Sequence, residues 1–265
     1  MNKMAKWMVV GAALAGSVAS AAGSVAQNTL SAAEKAAGWR LLWDGATTNG
    51  WMKAGGKEFP KSGWIMDGGV LTVVPAKGLD DARWEALGLP ASRKGEKGGG
   101  GDIVTSEKFK DFELSVDFRL TEGANSGIKY FYDEKINNGT TLEYQLLHPK
   151  HGDWNCGRDG NRRVAALYDM MPAPAATEVV KGAGEWNTAR LVSVGTHVEH
   201  WLNGVKVLEY ERGGEAFMAA FAKSKYADKN TNKNGRWGLT EEGRILLQDH
   251  RDSTVSFRNI KIRAR

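Results

Sequence analysis

Cysteine is nearly absent: Cys156 stands alone in a chain of 265 residues. No internal disulfide can form, so stability has to come from a packed core. Prolines number six and histidines five. The first excludes a Pro-rich linker region. The second limits metal sites, because His148-x-x-His151 with Asp153 beyond is the one local run of ligand types. That spacing is too weak to assign an ion, so no metal ligand and no cofactor is predicted, and a divalent metal stays an option. Strong charge of one sign is also missing, with a formal balance of +5. No basic stripe runs along the chain, which argues against nucleic acid as a partner. Arg158, Arg162 and Arg163 form one small cluster in a Gly/Asp/Asn-rich loop. Finally, no apolar run approaches the ~20 residues of a membrane span.

The N-terminus reads as a secretory signal peptide over residues 1–26. Lys3 and Lys6 supply its positive start, an apolar stretch runs from Trp7 to Val18, and small residues follow. Cleavage removes the two lysines and lowers the formal charge from +5 to +3. The mature protein is expected to be periplasmic or secreted. Its remaining length is enough for a single domain, placed at 38–265. Composition leaves the oligomeric state open.

Strand and turn patterns fill the mature chain. Phe112, Leu114, Val116, Phe118 and Leu120 alternate with Glu113, Ser115, Asp117 and Arg119, as a half-buried strand requires. Trp186 to Val194 and Thr196 to Leu202 read as further strands. Asn203-Gly204 then supplies a two-residue hairpin turn into Val205–Tyr210. Gly68-Gly69 divides another hairpin. In the last strand, Thr254 to Ile262, each face changes character midway, and a bulge near Arg258 or Asn259 would restore one apolar face. Leu79 to Gly101 reads as a surface excursion and Gly214 to Ser224 as a short helix. These patterns predict an all-β jelly-roll sandwich with one or two short helical insertions.

The stretch Thr141 to His148 carries the chemistry. Leu142, Tyr144 and Leu146 share one face, Glu143 and Gln145 the other. Upstream, Ile128, Tyr130 and Tyr132 alternate with Lys129 and Phe131. If the two strands pair, Lys129, Glu143 and Gln145 form a polar cluster away from the core. A sugar-binding groove needs such a cluster, and a solvated charge ladder gives the same pattern. Ten tryptophans are present; those assigned to loops, Trp51, Trp84 and Trp154, offer sugar platforms or packing anchors. Tyr168-Asp169 could rim the groove, while His200 reads as structural.

Eight motifs in order resemble the 3-keto-disaccharide hydrolase domain family, from about Gly38 to Arg263. They are Leu42-Trp43-Asp44-Gly45 with Gly50-Trp51, the hairpin Trp64–Leu71, Phe109–Leu114, Asn125-Ser126-Gly127-Ile128, Glu143-Tyr144-Gln145, Gly184–Asn187, His200–Gly204, and Leu247-Gln248-Asp249-His250 with Phe257–Ile260. The resemblance implies a concanavalin A-like jelly roll acting on glycosides oxidised to a ketone at C3. Two positions depart from the pattern. Arg251 stands where the family often has glycine. His148 stands where it often has aspartate, and either replaces that acid or ends the strand.

A C3 ketone acidifies the proton at C2. Its removal gives an enolate that expels the C1 oxygen, and water then adds back. The expected catalytic set is Glu143 as base or hydroxyl anchor, Lys129 at the enolate oxygen, and Asp249 and His250 as acid or its support. Gln145, His148, Trp51, Trp154, Tyr168 and Asp169 are expected to bind the carbohydrate substrate. Asp249 and His250 could equally tie a turn. Only one carboxylate of the Glu143 strand faces the groove, which argues against ordinary two-carboxylate hydrolysis. The alternatives are a non-catalytic carbohydrate-binding sandwich module and a structural envelope protein.

Overall fold

The computed structural model describes residues 26–77, 79–136, 139–232, 235–250 and 252–265. Residues 1–25, which carry nearly all of the expected signal peptide, and Arg251 lie outside the described residues. Among the described residues, thirteen strands make two antiparallel sheets. The larger runs β11 (Val205–Glu211), β10 (His197–Leu202), β9 (Trp186–Val194), β6 (Phe112–Leu120), β13 (Val255–Ala264), β4 (Val70–Val73), β3 (Trp64–Asp67), with β1 (Arg40–Leu41) pairing β13. The smaller runs β2 (Trp51–Lys53), β5 (Ile103–Thr105), β12 (Arg244–Leu247), β7 (Asn125–Tyr132), β8 (Leu142–Leu147). The expected all-β sandwich is therefore the architecture observed. Helix is slightly commoner than expected, in four short pieces among the described residues: α1 (Ala32–Ala36), α2 (Asp81–Ala86), α3 (Ala176–Val179) and α4 (Glu215–Ala222).

The core lies between the sheets because each strand offers one apolar face. Leu114, Val116 and Phe118 of the larger sheet meet Ile128, Tyr130, Leu142, Tyr144 and Leu146 of the smaller one. The hairpin turn adopts the expected positive φ at Asn203 (50°) and Gly204 (85°). In β13 the register slips between Arg258 and Lys261, and Asn259 sits at φ 50°. That extra residue returns Ile260 and Ile262 to the face of Val255 and Phe257, and all four are buried.

The Leu79–Gly101 excursion is more ordered than a loop. Trp84 lies in α2 rather than in a loop, and packs with Ile65, Val74 and Leu89 in a small separate cluster. Alternation in β7 also fails at one place. Phe131 takes φ 58°, so Tyr130 and Phe131 both enter the main core and Tyr132 turns to the opposite face with Val104 and Leu246. Gly243 permits this, since a Cβ there would stand 2.2 Å from the Phe131 carbonyl carbon.

Candidate active site

Pairing of β7 with β8 sets Lys129 directly opposite Glu143 and Gly127 opposite Gln145. All point away from the core, as alternation requires. A cavity of about 350 Å³ opens over this face. Lys129, Glu143, Gln145, Tyr168 and His250 line it, so five of the ten expected site residues come together. Asn125, Thr141, Asp153, Lys225, Tyr226 and Gln248 line it as well.

Glu143 is 6% exposed. Burial raises its carboxyl above the ordinary range, although Lys129 and Lys225 both pull it down. Lys129 has its ion pair with Asp102 (Nζ to Oδ2, 3.6 Å). The Gln145 amide is oriented with its nitrogen toward Glu143, because the opposite choice sets its oxygen against acceptors. It then donates to Glu143 Oε1 (3.2 Å) and to the Ser126 carbonyl (3.0 Å). Its oxygen faces the Asn125 amide at 3.3 Å, and that amide lies 3.5 Å from His250 Nε2. A polar row Glu143–Gln145–Asn125–His250 thus crosses the cavity. Burial and the neighbouring His151 lower the His250 pKa, which favours neutral imidazole. Its Nδ1 is buried and has no hydrogen-bond partner among the described residues.

Five expected site residues do not line the cavity. Trp51 lies in β2, is 5% exposed, and donates from Nε1 to the Leu42 carbonyl (2.7 Å), so it is a core anchor rather than a sugar platform. Trp154 packs against the core, with the Arg163 guanidinium 5.5 Å from its ring. His148 ends its strand: Nδ1 accepts from the backbone of Gly123 (3.1 Å) and Lys150 (3.1 Å). Asp249 alternates away from Gln248 and His250, and its Oδ2 accepts from Gly101 N (2.8 Å). Asp169 is 1% exposed and lies behind the cavity wall. It accepts from Arg162 Nε (2.7 Å) and from the Lys225 backbone N–H (2.8 Å). It therefore fixes Lys225 instead of touching the groove.

Asp153 and Lys225 were not anticipated at the groove. Asp153 sits in a 3₁₀ turn over Gly152–Asn155 and faces His151 at 3.7 Å. Lys225 follows α4, and its Nζ stands 4.3 Å from the Tyr168 ring centroid and 5.2 Å from that of Tyr226. The residue as a whole is exposed. Even so, burial around the ammonium lowers its pKa, against the pull of Glu143 and Asp169. Neither position shows a periodic signal, since both sit in irregular segments brought over β7 and β8 by the fold. The weak His148/His151/Asp153 run forms no convergent ligand group among the described residues, and both histidine Nδ1 atoms accept local backbone N–H groups. A different trio, His197, Glu199 and Glu209, is the one ligand-type cluster found among the described residues. Lys206 already occupies it, 3.3 Å from Glu199.

Comparison with known proteins gives concordant results. A family model described as a 3-keto-alpha-glucoside-1,2-lyase-like domain matches residues 38–263. A 3-keto-disaccharide hydrolase of Bacteroides thetaiotaomicron is 32% identical over 244 residues, covering 85% of this chain and 78% of the relative. The crystal structure of a proposed glycosyl hydrolase from Parabacteroides distasonis superposes with a TM-score of 0.70 at 26% identity, over 90% of this chain and 99% of that one. A second from the same organism gives 0.60 at 26% identity, over 86% and 99%. Sandwich, groove and relatives together define a carbohydrate hydrolase. The chain belongs to the 3-keto-alpha-glucoside-1,2-lyase-like family.

Proposed function

We propose that this protein cleaves glycosides carrying a ketone at C3, in a periplasmic or secreted setting, as one domain following a cleaved signal peptide. The observation that carries the reading is Glu143, a buried carboxyl with a raised pKa beside two lysines in one cavity. A base that removes a C2 proton works best with a pKa near the operating pH, and burial moves Glu143 that way. Lys129, which lines the groove, stabilises the negative charge that develops as C2–H breaks. Asp153 and His250 line the same cavity and are the candidates for the acid that protonates the departing C1 oxygen, and Asn125 and Gln145 bring amides to it. Among the described residues, no helix is long and apolar enough to cross a membrane.

Asp153 supports a second reading. It gives the cavity a second carboxylate, which an ordinary glycosidase would need. Incubating the mature protein with a 3-keto-disaccharide and with its unoxidised parent, followed by mass spectrometry, separates the two. Turnover of the keto sugar alone supports elimination followed by hydration. Turnover of the parent overturns it in favour of paired carboxylates.

A further inference from the structure

The two lysines of the groove differ in what holds them. Lys129 is ion-paired with Asp102. Among the described residues Lys225 Nζ has no hydrogen bond or ion pair, only the rings of Tyr168 and Tyr226. Its main chain is nevertheless well fixed. Asp169 accepts its N–H (2.8 Å), Arg162 holds Asp169 from the other side (2.7 Å), and Ser224 Oγ caps the turn by accepting from Tyr226 N (3.2 Å). A positioned amine that is not committed to an anion, inside a cavity with a buried carboxylate, is the arrangement of a nucleophilic lysine.

We propose that Lys225 is a catalytic residue that captures the substrate ketone as an iminium, so that the C2 proton is removed from a covalently held sugar. This rests on the keto-sugar reading above. The Nζ lone pair attacks C3, the carbonyl oxygen leaves as water, and a C3=N⁺ bond forms. Glu143 takes the C2 proton, and the C–H electron pair becomes the C2=C3 bond of an enamine. The nitrogen lone pair re-forms C3=N⁺, the C2=C3 pair becomes a C1=C2 bond, and the C1–O bond breaks, its oxygen leaving with the proton that Glu143 took or one from another acid of the groove. Water adds across C1=C2, its oxygen bonding to C1 and a proton returning to C2, and hydrolysis of the iminium regenerates the ketone and the free amine. One water is released and one consumed at Lys225, with no redox change. Burial, with smaller pushes from Arg162 and Lys129, outweighs the pull of Glu143 and Asp169 and lowers the Lys225 pKa, toward the neutral amine that the first step needs. Lys129, ion-paired with Asp102, pulls the raised Glu143 pKa back down.

The test uses 1,5-anhydro-3-ketoglucitol, which has the ketone but no leaving group at C1, with sodium cyanoborohydride. Wild-type protein is expected to gain one reduced sugar, mapped to Lys225 by peptide mass spectrometry. K225R and K225M, checked for unchanged melting temperature, are expected to gain none at that position and to lose roughly 100-fold or more in kcat on a 3-keto-disaccharide. Wild-type turnover of the keto disaccharide without an adduct at Lys225, or with K225R still active, overturns the iminium and leaves the substrate reading intact. A wild type inert to the keto disaccharide overturns the substrate reading and the iminium with it.

Discussion

Gly127 gives Glu143 the space its carboxyl occupies. A Cβ on Gly127 would stand 2.1 Å from Glu143 Oε1 and 2.8 Å from Cδ. The carboxyl lies across the neighbouring strand at the point where that strand has no side chain. G127A is therefore expected to displace the carboxylate while leaving the sheet paired. Misplacing a reacting group by about 1 Å can cost ~100-fold. Steady-state kcat should fall by about that factor, with far-UV circular dichroism unchanged. Undiminished kcat would remove Glu143 from the chemistry or show that it can relocate.

Glu143 also predicts a pH signature. Its folded pKa is raised above the ordinary glutamate value of 4.5, chiefly by burial. Between 4.5 and that raised value the folded protein holds a proton that the unfolded chain has released. The associated stability is complete below 4.5 and is lost as pH rises through the folded pKa. E143Q, which carries no charge, escapes this loss. Its melting temperature should exceed that of wild type at pH 8, with the gap closing toward pH 4, while turnover is lost. For the wild type, kcat should rise with pH along a limb above the ordinary glutamate range.

His200 works in the opposite direction. It is fully buried, donates from Nδ1 to the Ala165 carbonyl (2.8 Å), and accepts from the Tyr130 hydroxyl at Nε2 (2.9 Å). Burial depresses its pKa from 6.5 to about 4. Stability is thus full above 6.5 and lost as pH falls through about 4. The difference is worth about 3 kcal/mol once both states are protonated. Melting curves from pH 7 to 4 should fall steeply for wild type and less steeply for H200N.

Asn259 fixes the β13 bulge. At φ 50° it donates from Nδ2 to Asp117 Oδ2 (2.7 Å) and accepts from Asn28 N (2.7 Å). N259A loses those bonds and strains a left-handed backbone, for about 2–4 kcal/mol in urea unfolding. N259G loses the bonds alone and should be less destabilised. Equal losses would show that backbone strain contributes nothing there.

Asp153 decides between mechanisms. If it serves only as an acid or hydroxyl contact for the keto sugar, D153N should slow that substrate by about 10²–10⁴-fold. In that case an aglycone whose oxygen leaves without protonation should restore much of the rate. A loss confined to unoxidised glycosides would instead identify paired carboxylates.

The sequence by itself determined the longer strands, both hairpin turns and the β13 bulge, because a two-residue period and the φ preferences of Asn and Gly are local properties; the short β1, β2, β5 and β12 carry too few residues to show a period. Pairing of Lys129 with Glu143 was legible for the same reason: once two neighbouring strands align, alternation assigns their faces. Ordered motifs were enough to show the family. Tertiary structure alone decided which side chains share the cavity. Trp51 and Asp249 left it because their surroundings, not their type, set their direction. Phe131 broke the β7 alternation through a bulge whose cause, Gly243, lies more than a hundred residues away. Asp153 and Lys225 entered from irregular segments, and Asp169 became the support of Lys225. Such contacts arise from packing between segments distant in the chain, and no local period records them.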